Sequence, residues 1–206
     1  MDVFLHGFGT TPEIWPEGGP QLHFDNLERE ADRVGRGMTY GVRVVGWSMG
    51  GMVAQLIAAK YPEKVEQLVL VSTTPKFVAT DDFPFGLPAA ALKRLGQRIQ
   101  REGMKAFHSI VFPEGHSYGL ANLSIEQAEN ELAELGRADL RFNLAKIKVP
   151  TLIVHGDRDE ICPSGAAIYM YRAIPGSQLA MLEGVGHAPM IEAPDRFQEA
   201  LCRTKS

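Results

Sequence analysis

With 206 residues and a net charge of −4, the chain has the length of one domain with room for a small insertion, and its overall charge gives no reason to expect nucleic-acid binding. No run of about 18 apolar residues occurs, so no segment is expected to span a membrane, and the opening MDVFLHGFG lacks the basic start and small-residue cleavage site of a secretory leader, which makes the cytoplasm the expected location. Cys162 and Cys202 lie in no C-x-x-C pair and are expected to be reduced thiols without a metal site.

In chain order, residues 3–5 (VFL) read as a short strand feeding the loop HGFGTTP. A second short strand is expected at 21–24 (QLHF), followed by a helix over NLEREADRV. VRVVG at 42–46 is strand-like, and MVAQLIAAKYP after it is a helix closed by Pro62. QLVLVS at 67–72 and TLIVHG at 151–156 are apolar and β-branched enough to be buried strands. SGAAIYMYRAI is a helix, QLAMLEG at 178–184 a strand, and PDRFQEALCR a last helix with Pro194 in its first turn. Strands alternating with helices predict an α/β fold with a mostly parallel sheet flanked by helices. Residues 81–140 break that rhythm and read as a helical cap inserted into a core formed by 1–80 and 141–206.

Gly46-Trp47-Ser48-Met49-Gly50 fits G-x-S-x-G, with a strand before it and a helix after it. In such an elbow the serine occupies a strained turn, and flanking glycines avoid collision with the neighbouring strand and helix. Ser48 is therefore the expected nucleophile. A serine hydroxyl needs a base, and the base needs an orienting acid. His187, in EGVGHAPMIEAP between the last strand and the last helix, is the expected base. HGDRDEICP offers Asp157, Asp159 and Glu160; Asp157 suits the turn after the strand, and Asp159 lies where it can reach a histidine from the next loop. The oxyanion donors are expected to be the Met49 N–H, next after the nucleophile, and the Phe8 N–H in HGFG. His6 is expected to shape that loop.

HGFG, GWSMGGMVAQLIAAKYPEKVEQLVLVSTTP, VPTLIVHGDRDEICP and EGVGHAPMIEAPDRF together resemble the α/β-hydrolase superfamily. Within it, GWSMGG, STTPKF and DLRFNLAKIKVP most resemble the pimeloyl-[acyl-carrier protein] methyl ester esterases of biotin synthesis. The resemblance implies a serine carboxylesterase that uses no metal or cofactor and acts, as a monomer, on an acyl chain borne by an acyl-carrier protein. It places the triad on Ser48, Asp159 and His187, oxyanion and substrate contacts on Phe8 and Met49, Trp47 beside the elbow, and acyl-pocket contacts on Phe107 and Val111. Three departures are visible. HGFG begins at residue 6, without the usual preceding hairpin; the span from HGFG to GWSMG is short; and the D-x-x-G-x-G-x-S stretch expected there is not recognisable. The sheet is therefore expected to be N-terminally truncated and to lack a strand or helix.

Arg94, Arg98, Arg101 and Lys105 are spaced 4, 3 and 4 residues apart in the window 92–107. On one continuous helix they would form a basic strip, an expected docking face for the acidic carrier. The same catalytic residues would also serve a general short-acyl esterase or a thioesterase. A ligand-binding receptor on the same fold is the alternative from outside enzymology.

Overall fold

The computed structural model describes residues 1–202. Five strands form one sheet: β1 (Asp2–Leu5), β2 (Val42–Trp47), β3 (Val65–Val71), β4 (Thr151–Gly156) and β5 (Gln178–Leu182). They lie in chain order and every pairing is parallel. The central strands are apolar on both faces, as a sheet covered twice requires: Val44, Val45, Leu68, Val69, Leu70, Val71, Ile153 and Val154 are all fully buried.

Parallel neighbours in chain order need a right-handed crossover each time, and such crossovers stack their helices on one face. Helix α1 (Leu27–Gly37) packs on α2 (Met49–Lys60), which lies across β1, β2 and β3. Asn26 caps α1 by accepting the Arg29 N–H at 2.8 Å. Gly46 faces α2, for a β-carbon there would stand 2.7 Å from the Ala54 methyl. Leu5 pairs with Gly46, so alternation turns the neighbouring Phe4 to the opposite face. There its ring lies 5.2 Å from that of Trp15, and Trp15 lies 6.2 Å from Phe197. Phe197 belongs to the last helix, α9 (Pro194–Cys202). Among the described residues, Trp15 links β1 to α9 on this face. A single 3-10 turn (Pro12–Ile14) and Trp15 fill the space.

The strand expected at 21–24 does not form. Side chains take the backbone donors that a ladder would need: the Leu22 N–H goes to His6 Nε2 at 3.0 Å and the His23 N–H to Glu30 Oε1 at 3.0 Å. The other expected strands and helices are present within a few residues of their expected ends.

Between β3 and β4 the chain forms α3 (Ala89–Glu102), α4 (Lys105–Val111), α5 (Ile125–Arg137) and the short α6 (Arg141–Leu144). The helix expected through 92–107 is broken. Gly103 adopts φ +70 and ψ −168 and closes α3, in an extended positive-φ conformation that is essentially restricted to glycine. Lys105 therefore stands on a different helix from Arg94, Arg98 and Arg101, and the four do not make one strip. Two further helices complete the fold, α7 (Ser164–Ala173) against β4 and β5, and α8 (Pro189–Glu192).

Candidate active site

The turn between β2 and α2 holds Ser48 at φ 54 and ψ −123, a strained conformation for a residue with a β-carbon. The turn persists because its surroundings fix it. Ser48 N–H donates to Val71 O at 3.0 Å, and the Thr73 hydroxyl donates to Ser48 O at 2.6 Å. A β-carbon on Gly46 would lie 2.6 Å from Gly50 O, and one on Gly50 would strike the His6 and Leu5 carbonyls. The glycines thus let β1, β2 and α2 converge under the serine.

His187 arrives on the loop between β5 and α8. Its Nε2 is 3.0 Å from Ser48 Oγ and its Nδ1 is 2.8 Å from Asp159 Oδ2. A carboxylate can only accept, so Nδ1 carries the proton and Nε2 is left to accept the serine proton. Four further contacts hold the ring's backbone and its partner. Glu192 accepts the Gly186 N–H at 2.7 Å and the Ala188 N–H at 2.9 Å, which brackets His187 on both sides. The Trp47 indole donates to His187 O at 2.7 Å. Asp157 accepts the Gly184 N–H at 2.6 Å, so this acid ties the two loops together at their base.

Asp159 is buried, and its Oδ1 accepts the N–H groups of Ile161 at 2.9 Å and Cys162 at 2.8 Å. Burial works to raise its carboxyl, but the neighbouring His187, then His155 and the Cys162 N–H, outweigh it and hold the group below the usual carboxylate range. His155 lies directly behind: its Nε2–H donates to Cys162 O at 2.6 Å and is 3.4 Å from Asp159 Oδ2. Burial depresses its basicity, so it stays neutral beside the acid. Asp159, His187 and Cys162 bring potential metal-ligand atoms within 4.8 Å of one another. Two of the three are engaged with each other, and burial pushes the Cys162 thiol well above its ordinary pKa, which disfavours the thiolate that binds metals.

The loop after β1 is set by His6. Because its Nε2 accepts the Leu22 N–H, its Nδ1 carries the proton and donates to Gly7 O at 3.0 Å. The Thr10 hydroxyl donates to the same oxygen at 2.8 Å. That carbonyl belongs to the peptide whose N–H is that of Phe8, so the direction of the Phe8 donor is fixed from behind. Burial lowers the His6 pKa to about 4, which keeps this tautomer neutral. Met49 opens α2, where backbone N–H groups lack intrahelical acceptors.

Phe8, Ser48, Met49 and Phe107 line an apolar cavity of about 140 Å³, walled on the far side by Leu92 and Leu95 of α3 and by Leu132 and Leu135 of α5. Val111 lies outside it, in an adjoining groove that also contains His187. Trp47 is buried beneath His187, with the ring centroids 5.4 Å apart. On α3, Arg94 and Arg101 are exposed and Arg98 is 3.6 Å from Glu102, while Ala91, Leu92 and Leu95 of the same helix face the cavity. Glu192, Thr73 and His155 carry no sequence signal for these roles, because their partners lie on other elements or are backbone groups.

A family model described as "Alpha/beta hydrolase family" matches residues 17–200. A pimeloyl-[acyl-carrier protein] methyl ester esterase from Nitrosomonas europaea is 31% identical over 84% of this chain and 75% of its own. One from Neisseria meningitidis is 29% identical over 94% and 88%. Among solved structures, an esterase from Exiguobacterium antarcticum superposes with a TM-score of 0.86 at 25% identity, covering 100% of this chain and 91% of that one.

Proposed function

The chain belongs to the alpha/beta hydrolase family, and from that premise we propose that this carboxylic ester hydrolase removes the methyl ester from a pimeloyl chain borne by an acyl-carrier protein, through a Ser48–His187–Asp159 triad. The observation that carries the catalytic reading is the relay itself, 3.0 Å and 2.8 Å long, beside an apolar cavity. Ser48 attacks the ester carbonyl while His187 takes its proton. The developing oxyanion is held by the N–H groups of Phe8 and Met49. His187 then protonates the departing methoxide, and water hydrolyses the acyl-enzyme by the same route. Asp159 orients the ring and stabilises the imidazolium.

The substrate reading draws on the names of the relatives and on the cap. The acyl methylenes suit the cavity wall of Leu92, Leu95, Leu132 and Leu135. The helix that supplies the first two carries Arg94, Arg98 and Arg101 on an adjacent face, with Lys105 just beyond, a charge arrangement suited to an acidic carrier.

Steady-state hydrolysis of the pimeloyl-carrier methyl ester, compared with p-nitrophenyl butyrate, tests both halves. Ser48→Ala is expected to abolish both reactions. The triple change Arg94→Glu, Arg98→Glu, Arg101→Glu is expected to lower kcat/KM for the carrier substrate by tenfold or more and leave the small ester alone. Equal turnover of both esters by both proteins would reduce the reading to a general esterase.

A further inference from the structure

The loop that carries the Phe8 N–H is flexible by composition and is held by contacts from two directions. Gly7 and Gly9 flank Phe8, and Gly9 sits at φ +68, so no side chain stiffens the backbone on either side. The core holds the near end, where His6 and Thr10 both donate to Gly7 O. The segment between β3 and β4 holds the far end. Gly9 O accepts the His108 Nε2–H at 2.7 Å and the Ala121 N–H at 3.0 Å. A carbonyl oxygen can only accept, so His108 Nε2 carries a proton. Alongside, the Thr11 N–H donates to Gly119 O at 2.9 Å, and Thr10 pairs with Leu120 in an antiparallel bridge.

Two donors use both lone pairs of Gly9 O, which fixes the direction of the Gly9–Thr10 peptide as well as its position. The peptides on either side of Phe8–Gly9 are thereby pinned, one by the core and one by α4 and its neighbours. The packing shows how closely α4 approaches. A β-carbon on Gly9 would lie 2.7 Å from Met104 Cε and 2.8 Å from Phe107 Cδ1. The Phe107 ring meets the Phe8 ring edge-on, with centroids 4.8 Å apart. Phe107 also lines the apolar cavity beside Ser48, and His108 follows it on the same helix. One short helix therefore reaches the cavity through one residue and the loop backbone through the next.

We propose that His108 is a positioning residue for ester hydrolysis: its Nε2–H fixes the Gly9–Thr10 peptide and so holds the Phe8 N–H in line with the developing oxyanion. The inference rests on the serine-esterase reading above. It makes the alignment of that donor depend on the seating of α4, the helix that also walls the acyl cavity with Phe107. His108 acts through the loop and not on a reacting atom. An oxyanion donor binds the transition state more tightly than the ground state. Loss of its alignment therefore lowers kcat and leaves KM near the parent value.

The test uses the full chain and p-nitrophenyl butyrate. His108→Phe keeps a ring beside Phe107 and removes the donor, whereas His108→Gln offers an amide N–H in place of Nε2–H. His108→Phe is expected to lower kcat by about 10- to 100-fold with KM within about twofold of the parent, and His108→Gln to recover to within about fivefold. A trifluoromethyl ketone that forms a tetrahedral adduct with Ser48 should bind more weakly to His108→Phe by the factor lost in kcat/KM, since the adduct carries the oxyanion. If His108→Phe does not fold, His108→Ala makes the same comparison with His108→Gln. Parent kcat in the variant without the donor overturns the proposal. So does an equal loss in His108→Gln, or a loss confined to KM. Each of these leaves the esterase reading intact. Absence of hydrolysis by the parent chain, or hydrolysis retained by Ser48→Ala, sinks the esterase reading and this proposal with it.

Discussion

At the scale of single residues, His187, the proposed base, is held by more than its contact with Asp159. Glu192 binds the N–H groups on either side of His187, and the Trp47 indole binds its carbonyl. Reactive geometry tolerates little error, since a displacement of about 1 Å can cost on the order of a hundredfold in rate. Glu192→Ala is accordingly expected to lower kcat on p-nitrophenyl butyrate by roughly 10- to 100-fold with KM nearly unchanged. Stability should fall by about 1–3 kcal/mol, because the freed Ala188 N–H belongs to a fully buried residue. Steady-state kinetics beside a denaturation curve checks this, and wild-type kcat would mean that Asp159 and Trp47 suffice. His6 acts in the same way on the proposed oxyanion donor: its neutral tautomer orients the Gly7–Phe8 peptide through Gly7 O.

At the scale of elements, α5 fastens the helical segment between β3 and β4 to the start of α1 through buried acids. Glu131 accepts the Phe24 N–H at 3.3 Å and Glu134 accepts the Leu27 N–H at 2.9 Å, at the entry to α1. Burial pushes the Glu131 carboxyl up to about 7 from 4.5. A folded-state pKa above the unfolded one means that the native protein binds this proton more tightly. The stability it contributes is complete below about 4.5 and is lost as pH rises through about 7. The shift corresponds to on the order of 3 kcal/mol at high pH. Glu131→Gln keeps an acceptor for Phe24 without the charge, so it should match the parent at pH 4.5 and exceed it by about 1–3 kcal/mol at pH 8.5. Urea denaturation at the two pH values decides. A pH-independent difference between the proteins would show that Glu131 is not the titrating group. The break between α3 and α4 belongs to the same scale. One glycine at φ +70 redirects the chain so that Phe107 reaches the cavity and Lys105 leaves the arginine face.

At the scale of the whole molecule, one face of β1 is covered, among the described residues, by a 3-10 turn and Trp15. Trp15 is wedged there between Phe4 and Phe197. Trp15→Ala should therefore cost about 3–5 kcal/mol, in line with large-to-small changes at buried aromatics. A denaturation midpoint close to the parent's would mean that the 3-10 turn alone protects the sheet. The sequence by itself determined the α/β-hydrolase architecture and most of its elements, because buried parallel strands must be continuously apolar and helices must carry their own caps and breakers. It also pointed to Ser48, Asp159 and His187, whose side chains the structure brings into hydrogen-bond contact, since G-x-S-x-G and the loops after two strands impose an order that can be read along one line. Tertiary structure alone decided what sits behind them. Glu192, Thr73 and His155 act on groups contributed by other segments or by the backbone, and backbone partners leave no trace in residue identity. It also decided against the strand at 21–24, where side chains intercept the ladder donors, and against one basic helix through Gly103, where a single dihedral overrode an otherwise helical spacing. The division of the site into an apolar cavity and a polar groove was likewise decided only in three dimensions, because both spaces are walled by residues from the cap and the core that are distant along the chain.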